Sequence, residues 1–174
     1  MHIIEPAASG RAKCRGCGVA IAAGELRFGE RLPNPFADGE TTLWFHLACA
    51  AFKRPEPFLE AVSARTEPLP DGERLRAEAE LGVAHRRLPR VNGAERAPSG
   101  RARCRFCQEA IEKGAWRIPL VFFEDGRFEP AGFVHARCAG SYFETVELVP
   151  RVCRFRPDLG EEDLASLVVE MARP

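Results

Sequence analysis

Two sets of four residues constrain this chain more tightly than anything else in it. Cys14 and Cys17, followed after twenty-eight residues by His46 and Cys49, form the first. Cys104 and Cys107, followed after twenty-seven by His135 and Cys138, form the second. A two-residue spacer lets both ligands of one knuckle reach the same ion, and three thiolates with one imidazole are donors that tetrahedral Zn²⁺ prefers. The sets use six of the seven cysteines and two of the four histidines. An odd cysteine count with no export signal argues against a disulfide framework and for metal. Two structural Zn²⁺ per chain are therefore expected. A filled Cys3His set leaves no open position for water or substrate, which sets these sites apart from catalytic zinc.

The ligands lie in a repeat. "SGRAKCRGC" at 9–17 returns as "SGRARCRFC" at 99–107, with seven of nine letters unchanged. Glu5 and Glu95, Ile21 and Ile111, Gly24 and Gly114, and Arg27 and Arg117 keep the same offset of ninety. The register slips around the two "DG" pairs at 38–39 and 125–126, then returns at "HLAC" and "HARC" with an offset of eighty-nine. Fixed anchors with variable connections are what a duplicated module shows when the anchors carry the structure. Each module has roughly 70 residues, too few to rely on an apolar core alone. Structural zinc contributes about 10–16 kcal/mol of apparent binding free energy, enough to decide whether such a module folds.

Within each copy the alternating apolar runs "ELRFGERL", "TTLWFH", "AWRIPLVFF" and "GFVHA" predict strands. Short helices are expected to start near His46 and His135, and "PEPFLEAVSA" to continue as helix or turn, its prolines suiting a helix start. Between the copies, Leu75, Ala79, Leu81 and Ala84 form an apolar stripe that Asp71 can cap, ended by Pro89 and Asn92-Gly93. The tail reads as an amphipathic helix with Leu164, Leu167, Val168 and Met171 inward. The expected fold is a pair of small α+β zinc-stabilised modules: a first finger over 1–66, a helical spacer over 67–92, and a second finger with a C-terminal helix over 93–174.

Composition narrows the function. Lys and Arg number 25 and Asp and Glu 25, so the formal net charge is zero and any phosphate binding must come from local clusters. The longest apolar runs, Val19–Ala23 and Ile118–Phe123, are far short of a membrane span. The N-terminal "MHIIEPAASGR" lacks a signal-peptide pattern. Only Lys13, Lys53 and Lys113 are lysines, a bias that with abundant Ala, Pro and Gly points to a GC-rich bacterial genome. The expected location is then cytoplasm or nucleoid; a eukaryotic source would make it nuclear. No Walker-type loop, paired acidic cluster or Ser/His/Asp arrangement is present, so no enzyme is expected.

The half-site gap of nearly thirty residues exceeds that of the two-Cys two-His finger and the usual LIM or RING half-site. "SGRAxCxxCxxxI", then "LR", "FxDG" and "WFHxxC" resemble the PARP-type zinc finger, the family of the N-terminal fingers of poly(ADP-ribose) polymerase and of a nuclear DNA ligase. The resemblance spans roughly 2–55 and 93–145. Copy one is the closer match; in copy two Val134 precedes the histidine and Phe133 stands where Trp44 stands.

The resemblance implies recognition of DNA strand breaks or ends by a non-catalytic sensor, end-protector or recruiter, with a separate repair enzyme as a further partner. By match to the motif, Arg11 and Arg27 in copy one, and Arg101 and Arg117 in copy two, would grip phosphate. Lys13, Arg15, Arg103 and Arg105 add to the field beside the knuckles. Base-stacking candidates are Phe36 and Thr41 in copy one and Phe123 and Phe128 in copy two. Two other readings stay open: a zinc-stabilised protein-interaction adaptor, which neutral charge favours, and a zinc nuclease. Trp44, Phe45 and Phe133 are expected in the core, and His2 and His85 at the surface. Cys153 is expected as a buried free thiol. Arg151, Arg154 and Arg156 extend a phosphate track or lie on an exposed strand.

Overall fold

A computed structural model describes all residues, Met1–Pro174. The chain divides into two compact units. The first comprises Met1–Ala84 together with Phe123–Phe128, the second His85–Phe122 with Glu129–Pro174.

The first unit is built on an antiparallel sheet of β1 (Ile3–Pro6), β2 (Leu26–Pro33) and β3 (Glu40–His46), in that order. Phe28 lies opposite Phe45 across β2 and β3, and both are fully buried. With Phe58 they form an aromatic core, ring centroids 5.9 and 6.0 Å apart. Beyond His46 the chain turns into α1 (Leu47–Lys53), then α2 (Pro55–Ser63), whose first turn accepts Pro55 because that position needs no N–H donor. The helix expected to act as a spacer, α3 (Gly72–Ala84), instead packs on α1 and α2 and belongs to this unit. Its buried face is Leu75, Ala79 and Gly82, while Ala84 is exposed and Asp71 pairs with Arg74 at 3.2 Å.

The second sheet repeats the first: β4 (Glu95–Arg96), β5 (Trp116–Glu124) and β6 (Arg127–His135). A 3-10 turn at Ala136–Cys138 leads into α4 (Ala139–Phe143), followed by α5 (Val149–Phe155) and α6 (Glu161–Met171). Trp116, Ile118, Val134, Phe143, Leu148, Val152 and Leu167 fill the core. The tail helix packs on the 136–138 turn through a face that includes buried Leu167 and Met171, but Val168, expected inward, is 41% exposed. The "PRVCRFRP" stretch is helix α5, not strand, and Arg151 is buried at 1% exposure. Cys153, expected buried, is exposed on that helix. No helix is long and apolar enough to cross a membrane.

Candidate metal centres and nucleic-acid interface

Each knuckle is a tight turn set by backbone bonds that recur in both copies. Cys14 N–H donates to Val19 O at 2.8 Å and Cys104 N–H to Glu109 O at 2.9 Å. The turn closes through a left-handed residue, Gly18 at φ 77° and Gln108 at φ 65°, so glycine relieves strain in the first that the second accepts. Arg15 N–H donates to Trp44 O and Arg105 N–H to Phe133 O, both at 2.8 Å, tying each knuckle to the strand that carries the histidine. His46 N–H and His135 N–H each donate to the first cysteine's Sγ, Cys14 or Cys104, at 3.3 Å. Ligands far apart in sequence therefore converge through ordinary strand geometry.

The sets converge fully. Within each, the four ligand atoms lie within 4.8 Å of one another. Zinc bonds of about 2.3 Å to sulfur and 2.0–2.1 Å to nitrogen place tetrahedral neighbours about 3.5–3.6 Å apart. His46 Nδ1 is 3.4 Å from Cys17 Sγ and 4.0 Å from Cys49 Sγ. His135 Nδ1 is 3.4 Å from Cys107 Sγ and 3.9 Å from Cys138 Sγ. The donor sets thus fit Zn²⁺ in size and chemistry, through Nδ1 in both. The other ring nitrogen is oriented outside the cluster: His135 Nε2 donates to Ala110 O at 3.2 Å, and His46 Nε2 faces Glu25 at 3.9 Å.

The protons on these thiols are unevenly held. Hydrogen bonding to Cys49 is the largest influence lowering Cys14 to about 6 and Cys17 to about 4. In the second set burial, then the Cys104 charge, pushes Cys138 up to about 12. Burial would also raise Cys104, but backbone N–H bonds outweigh it and the net shift is down. Metal binding displaces whatever protons remain.

The two centres differ in the cation beside them. Lys53, only 4% exposed, donates from Nζ to Gly16 O at 3.0 Å in the first. Burial lowers its pKa to about 8, against the pull of the Cys49, Cys14 and Cys17 thiolates. In the second, half-exposed Arg137 bonds Glu109 at 2.8 Å, and Glu109 also reaches Cys107 Sγ at 3.9 Å. Slight burial notwithstanding, hydrogen bonds to Cys138 and Cys107 raise the Arg137 pKa. Three thiolates and a neutral imidazole around Zn²⁺ carry a net negative charge, which either cation offsets. Sequence reading missed both residues; Arg137 lies inside the second "HxxC" phrase, where the first copy has Ala48.

The predicted phosphate contacts separate into two groups. Arg11, Lys13, Arg15, Arg101, Arg103 and Arg105 are exposed around the knuckles. Arg27 and Arg117 are buried, with side chains 10% and 8% exposed, and already engaged. Arg27 lies opposite Glu5 in the sheet and bonds it at 2.8 Å, with Trp44 beneath the guanidinium at 3.5 Å. Arg117 repeats this with Glu95 at 2.9 Å and Phe133 at 3.5 Å. The shared ninety-residue offset of Glu5/Glu95 and Arg27/Arg117 was the signal for this pairing.

Among the stacking candidates, Phe36 is 86% exposed and Thr41 is half-buried. Phe123 and Phe128 are not free faces. They pack on each other at 4.9 Å within the first unit, Phe128 edge-on to Phe45 at 6.3 Å and Phe123 under Arg54 at 3.8 Å. Trp44 and Phe133 are half-buried under their arginines, while Phe45 is core. His2 is half-buried, its Nδ1 accepting from Arg31 N–H at 3.2 Å.

Two Cys3His centres, each on its own three-stranded sheet, define a tandem zinc-finger protein. Residues 5–85 match the family described as the poly(ADP-ribose) polymerase and DNA-ligase Zn-finger region. The chain is 31% identical to poly [ADP-ribose] polymerase 1 of Gallus gallus over 158 residues, covering 76% of this chain and 15% of that protein. It is 30% identical to the poly [ADP-ribose] polymerase of Sarcophaga peregrina over 138 residues, covering 70% of this chain and 14% of that protein. A 48-residue stretch is 42% identical to poly [ADP-ribose] polymerase 1 of Caenorhabditis elegans, covering 28% of this chain and 5% of that protein. Residues 5–85 are thus a PARP-type zinc-finger region, and the second Cys3His unit repeats its ligand set. The chain spans about 15% of the length of the Gallus gallus relative, and the family match is to the zinc-finger region.

Proposed function

We propose that this chain is a zinc-dependent binder of DNA strand breaks, a non-catalytic sensor or end-protector that presents damaged DNA to a separate repair enzyme in the cytoplasm or nucleoid. The observation that carries the reading is the duplicated exposed arginine phrase on each metal-fixed knuckle. Arg11, Lys13 and Arg15 in one finger, and Arg101, Arg103 and Arg105 in the other, stand on backbone that zinc immobilises, so their alignment on phosphate costs little entropy. Phe36, almost wholly exposed, is an apolar face of the kind that stacks on a base pair uncovered at a break but finds no such surface inside an intact duplex. The family's name and the polymerase relatives support the same reading.

Arg27 and Arg117 act in this scheme as braces behind the contact surface, holding the short first strand of each sheet. Salt-dependent binding of the zinc-loaded protein to a nicked duplex tests the proposal. Affinity falls with salt by a log–log slope of about −0.9 per phosphate neutralised. Arg11→Ala and Arg101→Ala each weaken binding and leave zinc content unchanged. Full binding by both variants would refute the contact assignment and favour an adaptor that recognises protein.

A further inference from the structure

The segment between α3 and β4 carries charge that neither the knuckles nor the sheets use. "HRRLPRVNGA", residues 85–94, holds three arginines and no carboxylate, in a chain whose formal charges sum to zero overall. It is fixed in place rather than loose. Leu88 and Val91 are buried at 0% and 1% exposure, a 3-10 turn spans Leu88–Arg90, and Pro89 stiffens it. Val91 bridges Leu120, and Asn92 N–H donates to Pro119 O at 3.0 Å, so the segment lies along β5.

Two of the three arginines are held on aromatic rings. The Arg90 guanidinium lies 4.3 Å from the Phe122 ring centroid and donates to the Tyr142 hydroxyl at 2.9 Å. That of Arg87 lies 4.9 Å from the Tyr142 ring and donates to Tyr142 O at 3.2 Å. Their partners are ring faces and neutral oxygens; neither charge is cancelled by an acid. Arg86 and Arg87 are exposed, and Phe122, an apolar ring in the same cluster, is 46% exposed. A stacked guanidinium is pre-organised, and a planar fork with N–H groups to spare suits a phosphate bidentately. Exposed arginines interleaved with aromatic rings are the usual makings of a track for nucleic-acid backbone.

We infer that Arg87 and Arg90, set on Tyr142 and Phe122, form with the exposed Arg86 a second phosphate-binding strip on the second unit, which takes the sugar-phosphate backbone of DNA flanking the break. The inference rests on the DNA reading above, and it gives the second finger contacts beyond its own knuckle. The test measures salt dependence of the full zinc-loaded chain on a nicked duplex long enough to extend well beyond the nick on both sides. Arg86→Gln/Arg87→Gln lowers the log–log slope by about 1.8, two phosphates at about 0.9 each, and keeps the preference for nicked over closed DNA. The control Arg74→Gln/Arg76→Gln removes two charges from α3 and leaves the slope unchanged. Arg86→Gln alone, an exposed side chain whose loss spares the fold, lowers the slope by about 0.9. An unchanged slope in the strip variants, or an equal fall in the control, overturns the strip. Failure of the wild-type chain to bind DNA at low salt overturns the break-binding reading itself, and the strip with it.

Discussion

Arg27→Gln separates a brace from a phosphate contact. Arg27 is buried, faces Glu5 across the sheet and rests on Trp44 at 3.5 Å. The substitution removes the cation–π contact, worth about 0.5–2 kcal/mol depending on how far it is desolvated. It also removes an ion pair whose carboxylate partner is 43% exposed, so that contribution is discounted to about 0.5–1 kcal/mol. Glu5 is left able to turn to water, which spares the variant the larger penalty of a stranded buried charge. The sum is about 1–3 kcal/mol. For a unit of this size each kcal/mol moves the midpoint by about 4–8 °C, so thermal unfolding of the zinc-loaded protein should show a drop of roughly 4–24 °C. Because the side chain is enclosed, the salt slope for nicked DNA should stay the same. A midpoint within 2 °C of wild type, together with a slope lower by about 0.9, would mean that Arg27 spends its charge on phosphate and that the bracing role is wrong.

Three further outcomes follow from the metal centres. A Cβ on Gly16 would stand 2.9 Å from Cys49 Cβ, so Gly16→Phe, which imports the second copy's residue, should cost about 1–3 kcal/mol of strain and lower zinc occupancy of the first centre. Phe106→Gly should leave the second loaded, because Phe106 is 47% exposed; zinc per chain by elemental analysis checks both. Arg137→Ala should speed zinc transfer from the second centre to a chelator on the order of 10-fold while the first centre keeps its rate, and equal rates would refute the role given to Arg137. Chelating both metals should abolish cooperative unfolding followed by circular dichroism, since neither unit has a large core; a retained sharp transition would refute metal-dependent folding.

What could be read from sequence alone tracked how local the physics was. The ligand sets and the strands beside them were legible, because spacing and alternation are written in consecutive residues. β1 and β4 were not: "IIEP" and "ER" are too short to announce themselves and are held by partners far along the chain, Arg27 and Arg117. The docking of α3 was hidden by its small buried residues, since Ala79 and Gly82 give little apolar contrast against the surrounding Glu and Arg. α5 was obscured for a related reason. "PRVCRFR" alternates like a strand, yet Pro150 sits where a helix begins and buries Arg151, a residue whose charge pointed outward on paper. Phe123 and Phe128 flank the second "DG" pair, where loop position suggests free rings, but Phe45, far away in sequence, packs against Phe128 and leaves neither ring free.

The most direct measurement sets a nicked minicircle against its sealed counterpart of identical sequence, competing for the zinc-loaded chain at moderate salt. The account predicts that the nicked circle displaces a labelled nicked probe at far lower concentration than the sealed one. Equal competition by the two would contradict it, leaving the arginine-rich knuckles as general polyanion binders with no sense of a severed strand.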